Sequence, residues 1–313
     1  MSTNVDAAIV RATTNFRVIF DSSLRKQGLG VIGEMCAQRT SKGQKTTYRY
    51  MPLGVGYEEV VGSLHFRQDR RYEYDVTNSL KAAGFSVPID EFKDADTNGL
   101  EDYEDRSRQL AMAPGANRRR QLAALMWGGF TATGPDGVTF FNTAHPKGPD
   151  APSTASRSNR LSGDPLLTEA NLQAAIDLLV KMSAYNGDAL NISEMGELCL
   201  TVPSALRATA EDLLLRKKID GGDDNPLYMR AKLRVMPELD RHTSAGWFLS
   251  VEGEGIPKPF VHQEREKPQM SSLTNPDSDT VFKERKVLYK VEGRDAMGYQ
   301  HFEMIVASDG TDD

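Results

Sequence analysis

The chain has 313 residues and a formal net charge of −6 at pH 7, with 39% hydrophobic and 26% charged residues. This composition is typical of a soluble globular protein, and the acidic balance argues against a dedicated nucleic-acid-binding protein, which usually carries a basic face. The two cysteines, Cys36 and Cys199, lie far apart without metal-ligand spacing. That spacing argues against a disulfide framework or a cysteine zinc site and suits synthesis in a reducing compartment.

No segment of the sequence predicts secretion or insertion into a membrane. The first residues, Met1–Asp6, contain no basic stretch followed by an apolar one, as a secretory signal would. No window approaches the roughly 18 apolar residues that a membrane helix needs. We therefore expect a soluble protein with no membrane partner.

The first 44 residues predict an N-terminal arm that lies on the surface and contains one short helix. Helical spacing of apolar residues covers Val5–Phe20, and the glycine-rich stretch Gly28–Gly33 follows it. The next segment, Arg39–Lys45, is polar and basic. Chain ends with this pattern are often extended and weakly packed.

Residues 46–93 predict a two-faced β-ribbon. Thr47–Met51 and Arg71–Val76 both alternate, with aromatic residues on one side and charges on the other. The stretch between them includes the very polar Phe66–Arg71. Such a ribbon has little apolar surface, so it needs a neighbour, either in its own chain or in another, to be stable.

The rest of the chain predicts helices and strands without a βαβ rhythm, which indicates the α+β class. Residues 100–130 read as a helix that Pro114 interrupts, so we expect a kink or two helices there. Thr168 is a predicted N-cap. The remaining predicted elements are a hairpin at 138–142, helices over 168–183 and 203–218, strands over 197–202, 231–235 and 247–251, and two or three strands within 280–307.

The sharpest local motif is Asp94–Asp105, which has the spacing of a calcium-binding loop. Oxygen-bearing side chains fall at positions 1, 3, 5 and 12 with glycine at position 6, as a hard cation with many oxygen ligands requires. The candidate ligands are Asp94, Asp96, Asn98 and Asp105. The alternative interpretation is a solvated turn before a helix, because acids are favoured at a helix N-terminus.

No pattern predicts an enzyme. The five histidines have no paired metal-ligand spacing, and neither a GxSxG elbow nor a phosphate-binding GxxxxGK[ST] loop occurs. A metal-assisted hydrolase would have to assemble its site from distant histidines and aspartates. His145, which precedes a proline, is interpreted as a structural hydrogen-bonding residue. We predict no catalytic residue and no cofactor, calcium being the one ion that the sequence suggests.

A basic cluster, Asn117–Arg120, lies within the helical pattern. Its arginines, Arg118, Arg119 and Arg120, are interpreted as a solvated face, as an intersubunit salt-bridge patch, or as a light contact to DNA. The sequence leaves these alternatives open.

Several short stretches occur in an order that resembles the major head subunit of Mu-like phages and prophages, a family of tailed-phage capsid proteins. They are Tyr48–Leu53, Tyr74–Asn78, Phe92–Tyr103, Asp136–Pro146, the helix over 168–183, Leu200–Leu206, Gly246–Leu249, Phe260–Glu266, Asp277–Phe282 and Arg294–Tyr299. Each stretch is short, but the ordered set extends from about Thr47 to Ala307.

The resemblance implies the major-capsid fold that tailed phages share with herpesviruses. The implied parts are an N-terminal arm (1–44), an extended β-ribbon or E-loop (45–93), a peripheral domain with a long spine helix (94–165), an axial domain (166–260) and returning strands of the peripheral domain (261–313). In such a shell, the neighbouring subunit would supply the partner that the ribbon lacks.

The resemblance also implies a function without catalysis. The chain would self-assemble into hexamers and pentamers that form an icosahedral phage head around double-stranded DNA, which it would contact weakly and without sequence preference. Portal, scaffold and decoration proteins are the other expected partners, with assembly in the host bacterial cytoplasm and a final location in the virion capsid. The interface residues predicted from ribbon and helix are Arg67, Asp69, Arg70, Arg71, Tyr72, Tyr74, Arg118, Arg119 and Arg120.

Two other classes stay open from the sequence. A calcium-dependent binding module would rest on Asp94–Asp105 alone. Another structural protein of the virion, such as a decoration or tail-tube protein, would share the polar surfaces but lack the spine-helix layout.

Overall fold

A computed structural model describes residues 2–53, 71–93, 100–149, 151–218, 223–275 and 277–312 of the chain. The helices are α1 (Ser2–Lys26), α2 (Val31–Met35), α3 (Ile89–Lys93), α4 (Glu101–Gly128), α5 (Glu169–Val180), α6 (Ile192–Met195), α7 (Arg207–Leu215) and α8 (Asp279–Glu284). Short 3-10 helices occupy Ser204–Leu206, Pro237–Arg241 and Phe302–Met304.

The strands form three sheets. They are β1 (Cys36–Thr40), β2 (Lys45–Tyr50), β3 (Tyr72–Thr77), β4 (Ser79–Pro88), β5 (Glu197–Val202), β6 (Lys232–Val235), β7 (Trp247–Glu252), β8 (Phe260–Leu273), β9 (Lys286–Tyr299) and β10 (Ile305–Ser308). The first sheet has the order β1-β8-β9-β4, the second has the order β10-β7-β5-β6, and β2 pairs with β3 alone. The mixture of helices and sheets confirms the α+β prediction.

Two long helices cover one face of the first sheet. Helix α1 buries Ile9, Ala12, Phe16 and Phe20, whose spacing of three and four residues places them on a single face. The ring of Phe16 meets Tyr289 edge-on, with the ring centres 5.3 Å apart. Phe20 packs in a cluster with residues of α4 and β9. Helix α1 is longer than the short helix predicted for the arm, because its apolar side continues to pack against α4 as far as Leu24.

Helix α4 is a single helix of 28 residues with Pro114 inside it, so the alternative of two helices was wrong. Proline removes one backbone donor from the helix interior. The side-chain amide of Gln27, at the end of α1, donates to the carbonyl of Ala111 at 3.0 Å. This contact and the packing of α1 on α4 support the helix next to the proline.

The second sheet lies in the largest apolar core. Trp247, Phe248 and the neighbouring Phe140 and Phe141 are fully buried there. Helix α5 begins where predicted, because the hydroxyl of Thr168 accepts the Asn171 N–H. The strands predicted over 197–202, 231–235 and 247–251 all form.

The hairpin predicted at 138–142 is wrong. Gly134 donates to the carbonyl of Val138 at 2.6 Å, and Phe140 donates to Ala132 at 3.0 Å. These bonds close a tight turn with one isolated bridge between Thr133 and Thr139, but no strand forms among the described residues of 131–165. The two phenylalanines that suggested a strand instead enter the core as anchors of a loop.

No helix within the described ranges is long and apolar enough to cross a membrane.

Replacing Phe16 with alanine should lower the free energy of unfolding by about 3 kcal/mol, because it empties a fully buried ring site between α1 and the first sheet. The matched change Val18→Ala alters an exposed position of the same helix and should have an effect within about 0.5 kcal/mol. Urea unfolding followed by circular dichroism measures both. Equal losses in the two variants would contradict the described packing of α1.

Candidate assembly surfaces

The base of the β2–β3 ribbon is attached to its own chain. Tyr48 and Tyr74 stack with ring centres 5.6 Å apart and pack against Val261 and Ala296 of the first sheet. The hydroxyl of Tyr48 donates to Oε1 of Gln263 at 2.8 Å. Burial raises the pKa of Tyr74, so its phenol stays neutral at physiological pH. The ribbon base is therefore a fixed part of the subunit.

Tyr50 anchors the ribbon more deeply. Its side chain is buried, and its hydroxyl donates to Oε1 of Glu303 at 3.0 Å. The same oxygen accepts a hydrogen bond from Nη2 of Arg157 at 3.1 Å. The ion pair between Arg157 and Glu303 is almost fully shielded from solvent. Burial and then the neighbouring Glu303 raise the pKa of Tyr50 well above its usual value. Three residues further along, Leu53 still packs against the main core, and its carbonyl accepts a hydrogen bond from the Tyr185 N–H at 3.0 Å.

The predicted tip of the ribbon lies outside the described residues. This applies to Arg67, Asp69 and Arg70, so their role in an interface stays a prediction. Arg71 is exposed where the structure resumes, and Tyr72 is half-buried against the main core.

A buried cluster of charges joins α4 to the first sheet. Arg118 donates to Oε1 of Glu264 at 2.7 Å and to Oδ2 of Asp295 at 3.1 Å. Lys81 also pairs with Asp295, and Nε2 of His262 lies 3.3 Å from the same carboxylate. Burial by itself would raise the pKa of Asp295, but the bonds from His262, Lys81 and Arg118 outweigh it and hold that pKa well below its usual value.

The three arginines of the predicted basic patch therefore have different surroundings. Arg118 is largely buried in this cluster of its own chain. Arg119 is half-exposed and donates to Oε1 of Glu238 at 2.8 Å. Arg120 is exposed and lines a groove between the middle of α4 and the β8–β9 hairpin. Their role between subunits stays a prediction.

The candidate calcium loop is mostly outside the described residues. Asp94, Asp96 and Asn98 fall in the part that the structure leaves undescribed. Asp105 lies in the second turn of α4, where it is exposed and pairs with Arg108. Within the described ranges, no three acidic, histidine or cysteine side chains come together as metal ligands. Calcium binding stays a prediction.

The structure confirms the hydrogen-bonding role of His145. This buried ring has Nδ1 at 2.6 Å from Asp136 Oδ2 and Nε2 at 2.9 Å from Asn159 Oδ1. It stacks on Phe302 with ring centres 3.5 Å apart. Asn159 also donates to the carbonyl of Phe140 at 2.9 Å. Both ring nitrogens thus hold the loop around Asp136 in place and face no open cleft.

Sequence reasoning did not find Glu303 or Arg157. Glu303 follows Arg157 by 146 residues, and neither belongs to a local motif. The only available signal was the isolated charge of Glu303 next to the apolar run that becomes β10.

Comparison with known proteins gives a consistent set of relatives. The family model described as Mu-like prophage major head subunit gpT matches residues 9–166, 164–239 and 238–312. The major capsid protein of Escherichia phage Mu is 21% identical over 270 residues, which cover 86% of this chain and 63% of that protein. The chain thus spans under two thirds of the length of that relative.

Solved capsid structures share the fold. The procapsid of bacteriophage JBD30 matches 97% of this chain and 75% of its own chain, with a TM-score of 0.57 and 18% identity. The capsid asymmetric unit of cyanophage Pam1 matches 88% of this chain and 89% of its own, with a TM-score of 0.54 and 13% identity. At these identities the likeness concerns the fold.

Replacing Asp295 with asparagine should lower the free energy of unfolding at neutral pH by about 3 kcal/mol, because Lys81 would lose its buried counter-charge and Arg118 would lose one of its two. The pKa of Asp295 is depressed in the folded state. The stabilisation by the Asp295 carboxylate is therefore fully present above the unfolded-state pKa of about 4. It is lost as the pH falls toward the pKa of Asp295 in the folded state.

The difference in the free energy of unfolding between the wild type and Asp295→Asn should therefore become smaller as the pH falls below about 4. Denaturant unfolding at several pH values measures this. The control Lys290→Gln breaks an exposed pair with Glu292 and should change stability little at any pH. A pH-independent difference for Asp295→Asn would contradict the assigned role of this carboxylate.

Proposed function

The chain belongs to the Mu-like prophage major head subunit family, and from this premise we propose that it is the structural subunit of a phage head. In this proposal, copies of the chain assemble into hexamers and pentamers, and these form an icosahedral shell around double-stranded DNA. The observation that carries the proposal is a family match that extends from residue 9 to residue 312. The fold shared with the JBD30 procapsid supports it.

The ribbon supports assembly through contacts between copies. Strands β2 and β3 pair with each other alone, and their side chains alternate between exposed and half-buried until the anchors at Tyr50 and Val76. An isolated two-stranded ribbon is marginally stable in water. The base of the ribbon already packs on the first sheet, and a neighbouring subunit would cover its exposed side.

The proposal includes partners and a location. Portal and scaffold proteins would direct assembly in the host bacterial cytoplasm, a decoration protein would bind the outer surface, and the mature subunit would reside in the virion capsid. DNA would be contacted weakly, because the chain carries a net charge of −6. No catalytic role is part of the proposal, since His145 serves the loop that it stabilises.

Electron microscopy and sedimentation of the purified full-length chain test the proposal. Shells or ring-shaped capsomers, formed by the chain alone or together with a co-expressed scaffold, are the expected result. A chain that stays monomeric under both conditions would overturn it.

Reversing two ribbon charges, Arg67→Glu with Arg70→Glu, should prevent assembly while the subunit stays folded. The physical reason is that like charges would then meet across an interface. As a control, exchanging the charges of Glu197 and Lys232, which pair with each other on the surface, keeps the net charge constant. Normal shells from the ribbon variant would contradict the predicted interface, and circular dichroism checks that the subunit is folded.

A further inference from the structure

A titratable ring, His301, lies where the ribbon base meets the main core. The residue falls between the end of β9 and the 3-10 helix Phe302–Met304, and its backbone N–H donates to the carbonyl of Lys258 at 3.4 Å. Its ring packs on that of Tyr50, with the ring centres 5.6 Å apart. Only 14% of the His301 side chain is exposed. The imidazole is therefore held against the residue that anchors the ribbon.

Two buried polar atoms lie close together beside Tyr50 without a hydrogen-bond partner among the described residues. They are Nδ1 of His301 and Oε2 of Glu303, which are 3.9 Å apart. The other carboxylate oxygen of Glu303 accepts bonds from Tyr50 and Arg157. Buried polar groups usually have a hydrogen bond that compensates for lost hydration. Here no such bond at Nδ1 favours the charged form of the ring.

The charges near the ring come from several parts of the chain. Glu303 is the nearest acid and favours a protonated ring, but it already forms a shielded ion pair with Arg157. Arg39 of β1 disfavours a further positive charge, and Asp136 is the other acid near this cluster. Burial is the strongest influence and lowers the pKa of His301 below its usual value. The ring is accordingly neutral at physiological pH.

Two further titratable groups border this cluster. Tyr72 of β3 lies next to Tyr50, with the ring centres 6.2 Å apart. The ammonium of Lys258 donates to the carbonyl of Gly253 at 2.6 Å. Phenols are neutral and ammonium groups positive near pH 7. Neither group therefore offers a negative charge that would stabilise a protonated His301.

We propose that His301 makes the hold of the ribbon base on the main core sensitive to pH. While the ring is neutral, Tyr50 stays packed on His301 and bonded to Glu303. A protonated ring needs water or a free acid to stabilise its charge, and the nearest acid is already paired with Arg157. Separation of Tyr50 from the ring would admit water, so acidification loosens the base. The proposal goes beyond the head function and holds whether or not the chain assembles.

The direction of the effect follows from the depressed pKa of His301 in the folded state. The stabilisation by the neutral ring is fully present above the unfolded-state pKa of about 6.5, and it is lost as the pH falls from there toward the folded-state pKa. Opening takes up one proton in this window. The equilibrium constant for opening of the base should therefore rise by up to about tenfold for each unit of pH.

Hydrogen exchange of the backbone amides in β2 and β3, followed by mass spectrometry of the full-length chain between about pH 5 and 8, measures this opening. Sedimentation at each pH checks that the oligomeric state is constant. The variant His301→Phe keeps an aromatic ring beside Tyr50 but cannot be protonated. Comparison with the wild type at the same pH cancels the intrinsic pH dependence of exchange. The ratio of wild-type to variant opening should grow as the pH falls below about 6.5.

The matched control is His242→Gln, which removes an exposed histidine. Its ribbon amides should exchange as those of the wild type do at every pH. A ratio of wild-type to His301→Phe opening that does not change with pH would overturn the proposal. So would a wild type that opens less than His301→Phe in acid, because protonated His301 would then form a stabilising ion pair with Glu303.

A direct titration tests the proposal even if His301→Phe does not fold. NMR of the His301 imidazole in the wild type should give a midpoint below about pH 6.5. Signals of the Tyr50 ring should shift with the same midpoint, because the two rings pack together. A His301 midpoint at or above pH 6.5, or Tyr50 signals that do not follow the titration, would contradict the assigned role.

Discussion

One buried cluster of charges joins helix α4 to the first sheet. Asp295 on β9 accepts hydrogen bonds from Arg118 of α4 and from Lys81 of β4, and His262 of β8 lies beside it. A single carboxylate thus joins three strands to helix α4. Because removal of one partner leaves the remaining charges buried and unpaired, this junction resists separation even though ion pairing is a modest source of net stability.

The base of the ribbon is held at two places in the body of the subunit. The ribbon base rests on the first sheet through Tyr48 and Tyr74, and Tyr50 reaches Glu303 in the main core. The base is therefore connected both to the first sheet and to the main core.

Local sequence patterns predicted those features that neighbouring residues decide. The hydroxyl of Thr168 caps α5 as expected, since an N-cap depends on atoms within three residues. The apolar run of β5 also predicted a buried strand, because consecutive residues within the strand carry that signal. The phenylalanine pair at 140–141 led to the wrong prediction of a hairpin, because an apolar pair in a glycine-rich stretch is compatible with either a strand or a buried loop. In the folded chain both rings pack in the main core from a loop.

The sequence by itself determined the α+β class, most helices and strands, the structural role of His145 and the likeness to a capsid family. Only the tertiary structure decided that β1 pairs in parallel with β8, that Arg118 belongs to a buried cluster, and that Glu303 joins Arg157 to Tyr50. The physical reason is distance along the chain. Periodicity and capping are short-range effects, whereas these partners are separated by more than 100 residues and meet only when the sheets and α4 pack together.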